Sequence, residues 1–167
     1  GQAARRQLRP ELTTDPDRDR APPSDPESGA RLFASPTPSP SPMKPSIAIL
    51  GASADRRKFG NKAVRAYLLA GYEVYPVNPH EKTIEGLRVY RSARELPCDR
   101  LDRASVYLRP EVALAVLPDL THLPIGEVHF NPGADAPEVL ARAAELGLNV
   151  VTGCSIIAAG LRPDQLD

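Results

Sequence analysis

Residues 46–79, SIAILGASADRRKFGNKAVRAYLLAGYEVYPVNP, constrain the fold more than any other part of the chain. An apolar run at 47–50 stands between Pro45 and Gly51, the mark of a strand covered on both faces. A segment at 60–70 then carries Ala63, Val64, Tyr67 and Leu68 at helical spacing, with Gly71 placed to end it. A second strand follows at 72–77, and Pro76 affects only its end. Strand, tight turn, helix and strand in that order make a parallel βαβ unit.

The alternation continues to the end of the chain. Residues 87–90 read as a brief strand or a turn, and 92–96 as a short helix. A third strand is expected at 104–108 and a helix at 111–117, with Pro110 at its first position, where a missing N–H costs nothing. A fourth strand at 128–131, a helix at 137–146 and a fifth strand at 149–152 complete the pattern. The expected fold is α/β: a Rossmann-like, doubly wound parallel sheet of about five strands with helices on both faces, occupying residues 46–167.

Residues 1–45 differ in kind. They hold 10 of the 19 prolines, and six arginines face six acids up to Pro42. So little apolar surface cannot offset the entropy of ordering the segment, which reads as a disordered Pro/Ser/Arg-rich extension rather than a basic nucleic-acid arm. Met43, the sole methionine, stands just before the first strand and would suit a natural start.

Lysine plus arginine and aspartate plus glutamate are 21 each, so no global field draws the chain to nucleic acid or an anionic membrane. No apolar run reaches the roughly 18 residues of a membrane helix, and the expectation is a cytoplasmic protein. Cys98 and Cys154 fit no metal spacing and are expected as free thiols. His80, His122 and His129 are scattered, and no metal site is expected. His129 lies on the strand face opposite Val128 and Phe130, a structural or exposed position.

In an open parallel sheet, ligands bind beyond the carboxyl ends of the strands. The loops at that end are GASADRRKFGN, NPHEK, RPE, NPGAD and GCS. In the first, Gly51 permits a sharp turn, Ala52 and Ser53 are small enough for a phosphate to approach, and Ser53 offers a hydroxyl. The N–H groups opening the next helix would meet a pyrophosphate. Arg56, Arg57 and Lys58 add cations, although such a triplet is also what a solvated surface looks like. Against a nicotinamide cofactor, the loop lacks G-x-G-x-x-G, and Asn78 and Pro79 stand where an acid would hold a ribose. No P-loop pattern is present.

Taken together, AILGAS with KFGN, GYEVYPVNP, IEGLRVY, VYLRP at 106–110, FNPGA at 130–134 and NVVTGC at 149–154 resemble the stand-alone coenzyme A-binding domain family. These are Rossmann-like proteins similar to the N-terminal domain of succinyl-CoA synthetase alpha subunits. The resemblance covers residues 46–157 and implies coenzyme A, or an acyl-CoA, as the ligand. It implies that the pyrophosphate rests on Gly51, Ala52, Ser53, Ala54 and the helix start near Gly60, with Arg56 and Lys58 toward the extra phosphate. Asn78 and Pro79 would flank the nucleotide, and Tyr107, Leu108, Arg109 and Pro110 would border the adenine or pantetheine side. Tyr107 as a core residue and Asn78 as a turn cap remain the structural alternatives.

The chain departs from these relatives at Asn131, where glutamine is more usual, and in its ending SIIAAGLRPDQLD. Succinyl-CoA synthetases use a phosphorylated histidine in a second domain, and none of the three histidines lies in such a setting. The expectation is a non-catalytic module that binds or senses coenzyme A, with no catalytic residue and an unspecified protein partner. The alternative is an NAD(P)-binding, oxidoreductase-like domain. Cys154, at the end of the fifth strand, is a conceivable thiol for a mixed disulfide with the ligand, without a visible base beside it.

Overall fold

In the computed structural model, residues 43–167 are described. The expected extension at 1–45 lies, up to residue 42, outside them. The chain runs β1 (Ser46–Leu50), α1 (Phe59–Leu69), β2 (Glu73–Val77), a hairpin of β3 (Thr83–Ile84) and β4 (Leu87–Arg88), and then β5 (Leu101–Val106). It continues through α2 (Pro110–Val116), β6 (Ile125–Phe130), α3 (Pro137–Glu145), β7 (Val150–Thr152) and α4 (Ser155–Ala158). Short 3-10 turns cover Ala93–Glu95, Leu117–His122 and Pro163–Leu166.

Five strands form one parallel sheet in the order β2-β1-β5-β6-β7. The expected α/β, doubly wound architecture is therefore observed. Period-two alternation along β1 divides the core. Ile47 and Ile49 join Val64 and Tyr67 of α1 and Ile156 of α4 on one face. Ala48 and Leu50 join Ala113 of α2, Leu117, and Val139 and Ala143 of α3 on the other. All five residues of β1 are buried, which explains why the strand reads as an unbroken apolar run. Each large side chain so buried contributes about 1.5–3 kcal/mol relative to exposure.

Several boundaries move from those the sequence suggests, for one physical reason. The third and fourth sheet strands start at Leu101 and Ile125, three residues earlier than their apolar cores imply. Polar side chains in those first halves have partners within or beside the sheet. Asp102 accepts the N–H of Ser46 at 2.8 Å, Arg103 lies over the Tyr72 ring, and Arg103 pairs with Glu127 at 3.3 Å. Pro76 sits inside β2, opposite Ile49, as the strand expected at 72–77 had it. An edge strand tolerates it, and its carbonyl still accepts the Tyr90 N–H at 2.9 Å. The segment at 87–90 is half of a hairpin plus a single bridge from Tyr90 to Val77. The short helix at 92–96 is one 3-10 turn.

Candidate functional site

The sheet order reverses between β1 and β5, since the chain leaves β1 toward β2 and returns to β5 on its other side. Their carboxyl ends are the place where loops diverge and a ligand finds a crevice. There Gly51 adopts φ +83, and a Cβ on it would lie 2.5 Å from the Tyr107 carbonyl oxygen. The Tyr107 N–H in turn donates to the Leu50 carbonyl at 2.9 Å. Gly60, in the first turn of α1, presses on the same spot, because a Cβ there would overlap the Gly51 carbonyl oxygen. The two glycines thus bring loop and helix start into backbone contact. No side chain caps α1 at Lys58; the Asn61 and Lys62 N–H groups donate to the Lys58 carbonyl, and among the described residues those of Phe59 and Gly60 have no partner and are open to an anion.

The loop between them is held from behind. Ala52 is fully buried, and its carbonyl accepts the Asn78 side-chain amide at 2.7 Å. The Asn78 Oδ1 accepts the His80 N–H at 2.8 Å, so the residue caps its own turn as well as tying two loops together. The Ser53 hydroxyl accepts the Asp55 N–H at 3.1 Å, and the Ser53 carbonyl accepts the Asn61 amide at 2.8 Å. The exposed Ala54 N–H faces the Glu81 carboxylate at 3.4 Å. Hydrogen bonds from the Arg57 side chain and N–H hold the Asp55 carboxyl below its ordinary value.

Two cavities open on this frame. One, of about 270 Å³, is lined by Gly51, Lys58, Gly60, Tyr107, Leu108 and Arg109, and also by Phe59, Pro132, Gly133 and Ala134. Its cations, Lys58 and Arg109, stand beside the free helix start. The other, of about 360 Å³, has walls of Leu50, Val77, Pro79, Leu108, Val112 and Val116, with Asn78, His80, Arg91 and Asp119 among its polar lining. The cavities share Gly51 and Leu108.

Most of the expected residues therefore converge, but not as one group. Gly51, Lys58, Gly60, Tyr107, Leu108 and Arg109 line the cationic cavity, and Gly51, Asn78, Pro79 and Leu108 line the apolar one. Ala52, Ser53 and Ala54 form the loop behind them, and Pro110 opens α2 without lining either cavity. Arg56 is separated from Lys58: it pairs with Glu85 at 3.3 Å and lines a different cavity with Arg57 and Arg65. Phe59, Pro132 and Gly133 are additional lining residues, and the Asn-Pro-Gly turn after β6 stood in the expected ring of loops. His80 likewise stood in that ring, in NPHEK, whereas nothing in the sequence marked Arg91.

Beneath the cationic cavity lies a buried polar cluster. The Ser155 hydroxyl meets those of Ser105 at 2.7 Å and Tyr107 at 2.9 Å. The Tyr67 hydroxyl donates to the Ser155 carbonyl at 2.8 Å. Asn131 donates to the Ser105 hydroxyl and the Val106 carbonyl, both at 2.9 Å, and accepts the Ser155 N–H at 2.9 Å. Asn131 thereby pins β5, the end of β6 and the start of α4 together. Burial pushes the Tyr107 phenol well above its ordinary value, so it acts there as a neutral hydrogen-bonding group. Cys98 and Cys154 are both free and half-buried. Among the described residues no His, Cys, Asp or Glu cluster that could hold a metal ion is found, and no helix is long and apolar enough to cross a membrane.

The chain matches the family described as "CoA binding domain" over residues 45–160. A stretch of 54 residues is 41% identical to the alpha subunit of acetate–CoA ligase [ADP-forming] II from Pyrococcus furiosus. That stretch is 30% of this chain and 11% of the ligase subunit, so the chain matches only a small part of that relative. Among solved structures, a conserved hypothetical protein from Pyrococcus furiosus is similar at 33% identity and TM-score 0.62, over 68% of this chain and 98% of that one. A Thermus thermophilus protein is similar at 28% identity and TM-score 0.61, over 74% and 91%. The dinucleotide-forming acetyl-coenzyme A synthetase 1 of Ca. Korarchaeum cryptofilum is similar at 27% identity and TM-score 0.52, over 65% of this chain and 26% of that one.

Proposed function

The chain belongs to the CoA-binding domain family, and from that premise we propose that it binds coenzyme A or an acyl-CoA across the carboxyl ends of β1, β5 and β6. The pyrophosphate lies on the loop from Gly51 to Ala54 and the start of α1, with Lys58 and Arg109 as charge-assisted donors. The nucleotide side occupies the apolar cavity between Pro79 and Leu108. The observation that carries this reading is the backbone contact of Gly60 with Gly51, which sets the start of α1, with no side-chain cap, directly against the loop after β1. The neutral amide of Asn78, already engaged with Ala52 and His80, stands where a dinucleotide site would place a ribose-binding carboxylate.

The role proposed is binding rather than turnover. The hydroxyls of Ser105, Tyr107 and Ser155, of which only Tyr107 lines the cationic cavity, are bonded to one another and to Asn131, with no histidine or carboxylate in their hydrogen-bond set. A nucleophile needs such a base to be activated. Coenzyme A supplies a thiol for acyl transfer, and this chain's residues hold and orient its phosphates.

Calorimetry with coenzyme A, dephospho-coenzyme A, NADH and NADPH tests the ligand. Saturable binding with coenzyme A tightest is expected, and tighter binding of NADH would overturn the reading. Incubation with acetate, ATP and coenzyme A, assayed for a thioester, tests the role; product formation by this chain alone would refute it.

A further inference from the structure

The hairpin joining β3 to β4 turns on Glu85 and Gly86, both with positive φ, and Glu85 at φ +48 is the sole non-glycine residue of that kind among the described residues. A two-residue turn of this type favours Asn or Gly at its first position, because a larger side chain there strains the backbone. Glu85 nevertheless occupies it, and its carboxylate reaches away from the hairpin. Its Oε1 accepts the Asn61 amide at 3.0 Å and pairs with Arg56 Nε at 3.3 Å.

Asn61 is itself unusual, a polar side chain in α1 with no exposed surface. Both amide hydrogens are used, one on the Ser53 carbonyl at 2.8 Å and the other on Glu85. Its Oδ1 accepts Arg65 Nε at 2.8 Å, which fixes which way the amide points. The remaining Arg65 nitrogens donate to the Leu166 carbonyl and, at 2.9 Å, to the carbonyl of Arg56. The web joins Ser53 and Arg56 of the loop to α1, to the β3–β4 hairpin and to Leu166 of the C-terminal turn.

The geometry points to Asn61 and Glu85 as positioning residues for the phosphate loop. Asn61 clamps the loop at Ser53, and Glu85, carried on a strained turn, holds the Asn61 amide and draws Arg56 aside. A buried network that is fully satisfied rigidifies what it touches, and here it touches the loop at Ser53 and Arg56, neither of which lines the cationic or the apolar cavity. The inference rests on reading that loop as the ligand's phosphate cradle, but the loop's rigidity is measurable without a ligand.

Glu85→Asn separates a latch from a mere turn residue, since it relieves the backbone strain while removing the carboxylate. Amide hydrogen exchange, read by NMR at Asp55 and Lys58, reports on the loop, and thermal unfolding reports on the fold. With the latch, Glu85→Asn and Asn61→Ala each speed loop exchange at least tenfold, and Glu85→Asn does so without lowering the melting temperature. Loop exchange unchanged in Glu85→Asn overturns the inference. Should Asn61→Ala fail to fold, Arg65→Ala replaces it, with faster loop exchange expected and an unchanged rate counting against the clamp. If the wild-type protein binds no coenzyme A, the functional reading falls, and the exchange rates still decide this inference.

Discussion

Gly60 lies against the carbonyl oxygen of Gly51, so that helix α1 and the loop after β1 meet backbone to backbone. An alanine in a helix is ordinarily about 1 kcal/mol better than glycine. At this position the gain is outweighed, because overpacking costs about 1–3 kcal/mol. Gly60→Ala is therefore expected to lower the melting temperature, and to weaken coenzyme A binding by more than its loss of stability would suggest. A raised melting temperature with unchanged affinity would contradict the contact.

The charge triplet after β1 divides in space, and its members should divide in function. Lys58 lines the cationic cavity, whereas Arg56 is paired with Glu85 away from it. A charge-assisted hydrogen bond is worth about 1.5–3 kcal/mol, so Lys58→Ala should weaken coenzyme A binding by roughly tenfold to a hundredfold. Arg56→Ala should change it by less than about threefold. Titration calorimetry on both variants decides between them, and the reverse ranking would move the phosphate to the other cavity.

Asp102 ties the amino ends of β1 and β5. The Ser46 N–H, then the Ser46 hydroxyl and Arg100, hold its carboxyl below the ordinary range against a smaller opposing effect of burial. Its contribution is complete above the unfolded value of about 3.9 and is lost as pH falls through the lower folded one. Asp102→Asn should reduce stability at pH 7 by about 0.5–1 kcal/mol, a figure discounted because the carboxylate is partly in water. Denaturant melts should show that difference shrinking below about pH 4. A difference that persisted undiminished at low pH would assign the effect to something other than this carboxylate.

Burial, helped by Glu73 and Asp99, pushes the Cys98 thiol up. Alkylation needs the thiolate. Iodoacetamide should therefore modify Cys98 more slowly in the folded protein than in urea, with a rate still climbing beyond the usual thiol value of about 8.5. Peptide mapping after timed quenching gives the rate at each cysteine, and a plateau below pH 8 would exclude the shift.

The first βαβ unit could be read from sequence because burial on both faces leaves an unbroken apolar run in β1 and Ala63, Val64 and Tyr67 at helical spacing in α1. Leu68, expected on the same stripe, is exposed, and Asn61 and Ala66 are buried in its place. The hairpin of β3 and β4 was ambiguous, since two strands of two residues carry too little periodicity to show. The early halves of β5 and β6 were missed because Asp102, Arg103 and Glu127 look like loop residues until their cross-strand partners are known. Gly51, Asn78, Pro79 and Arg109 stood in loops whose place at the carboxyl ends followed from the alternation alone, whereas Tyr107 and Leu108 lay in the expected strand at 104–108 and were marked only by the family resemblance; the strand ends at Val106. Arg56 and Lys58 could not be told apart, because a run of charges carries no address. Asn131, where relatives more usually carry glutamine, holds three buried hydrogen bonds that join distant segments, and such partnerships leave no local mark.

The two cavities touch only along Gly51 and Leu108. A ligand that fills both is met as two tethered halves, one gripped by charge and the other by apolar contact. Each half raises the local concentration of the other at its own cavity, so the tether multiplies two weak affinities into one stronger one. Cutting the ligand at that saddle would leave two poor binders.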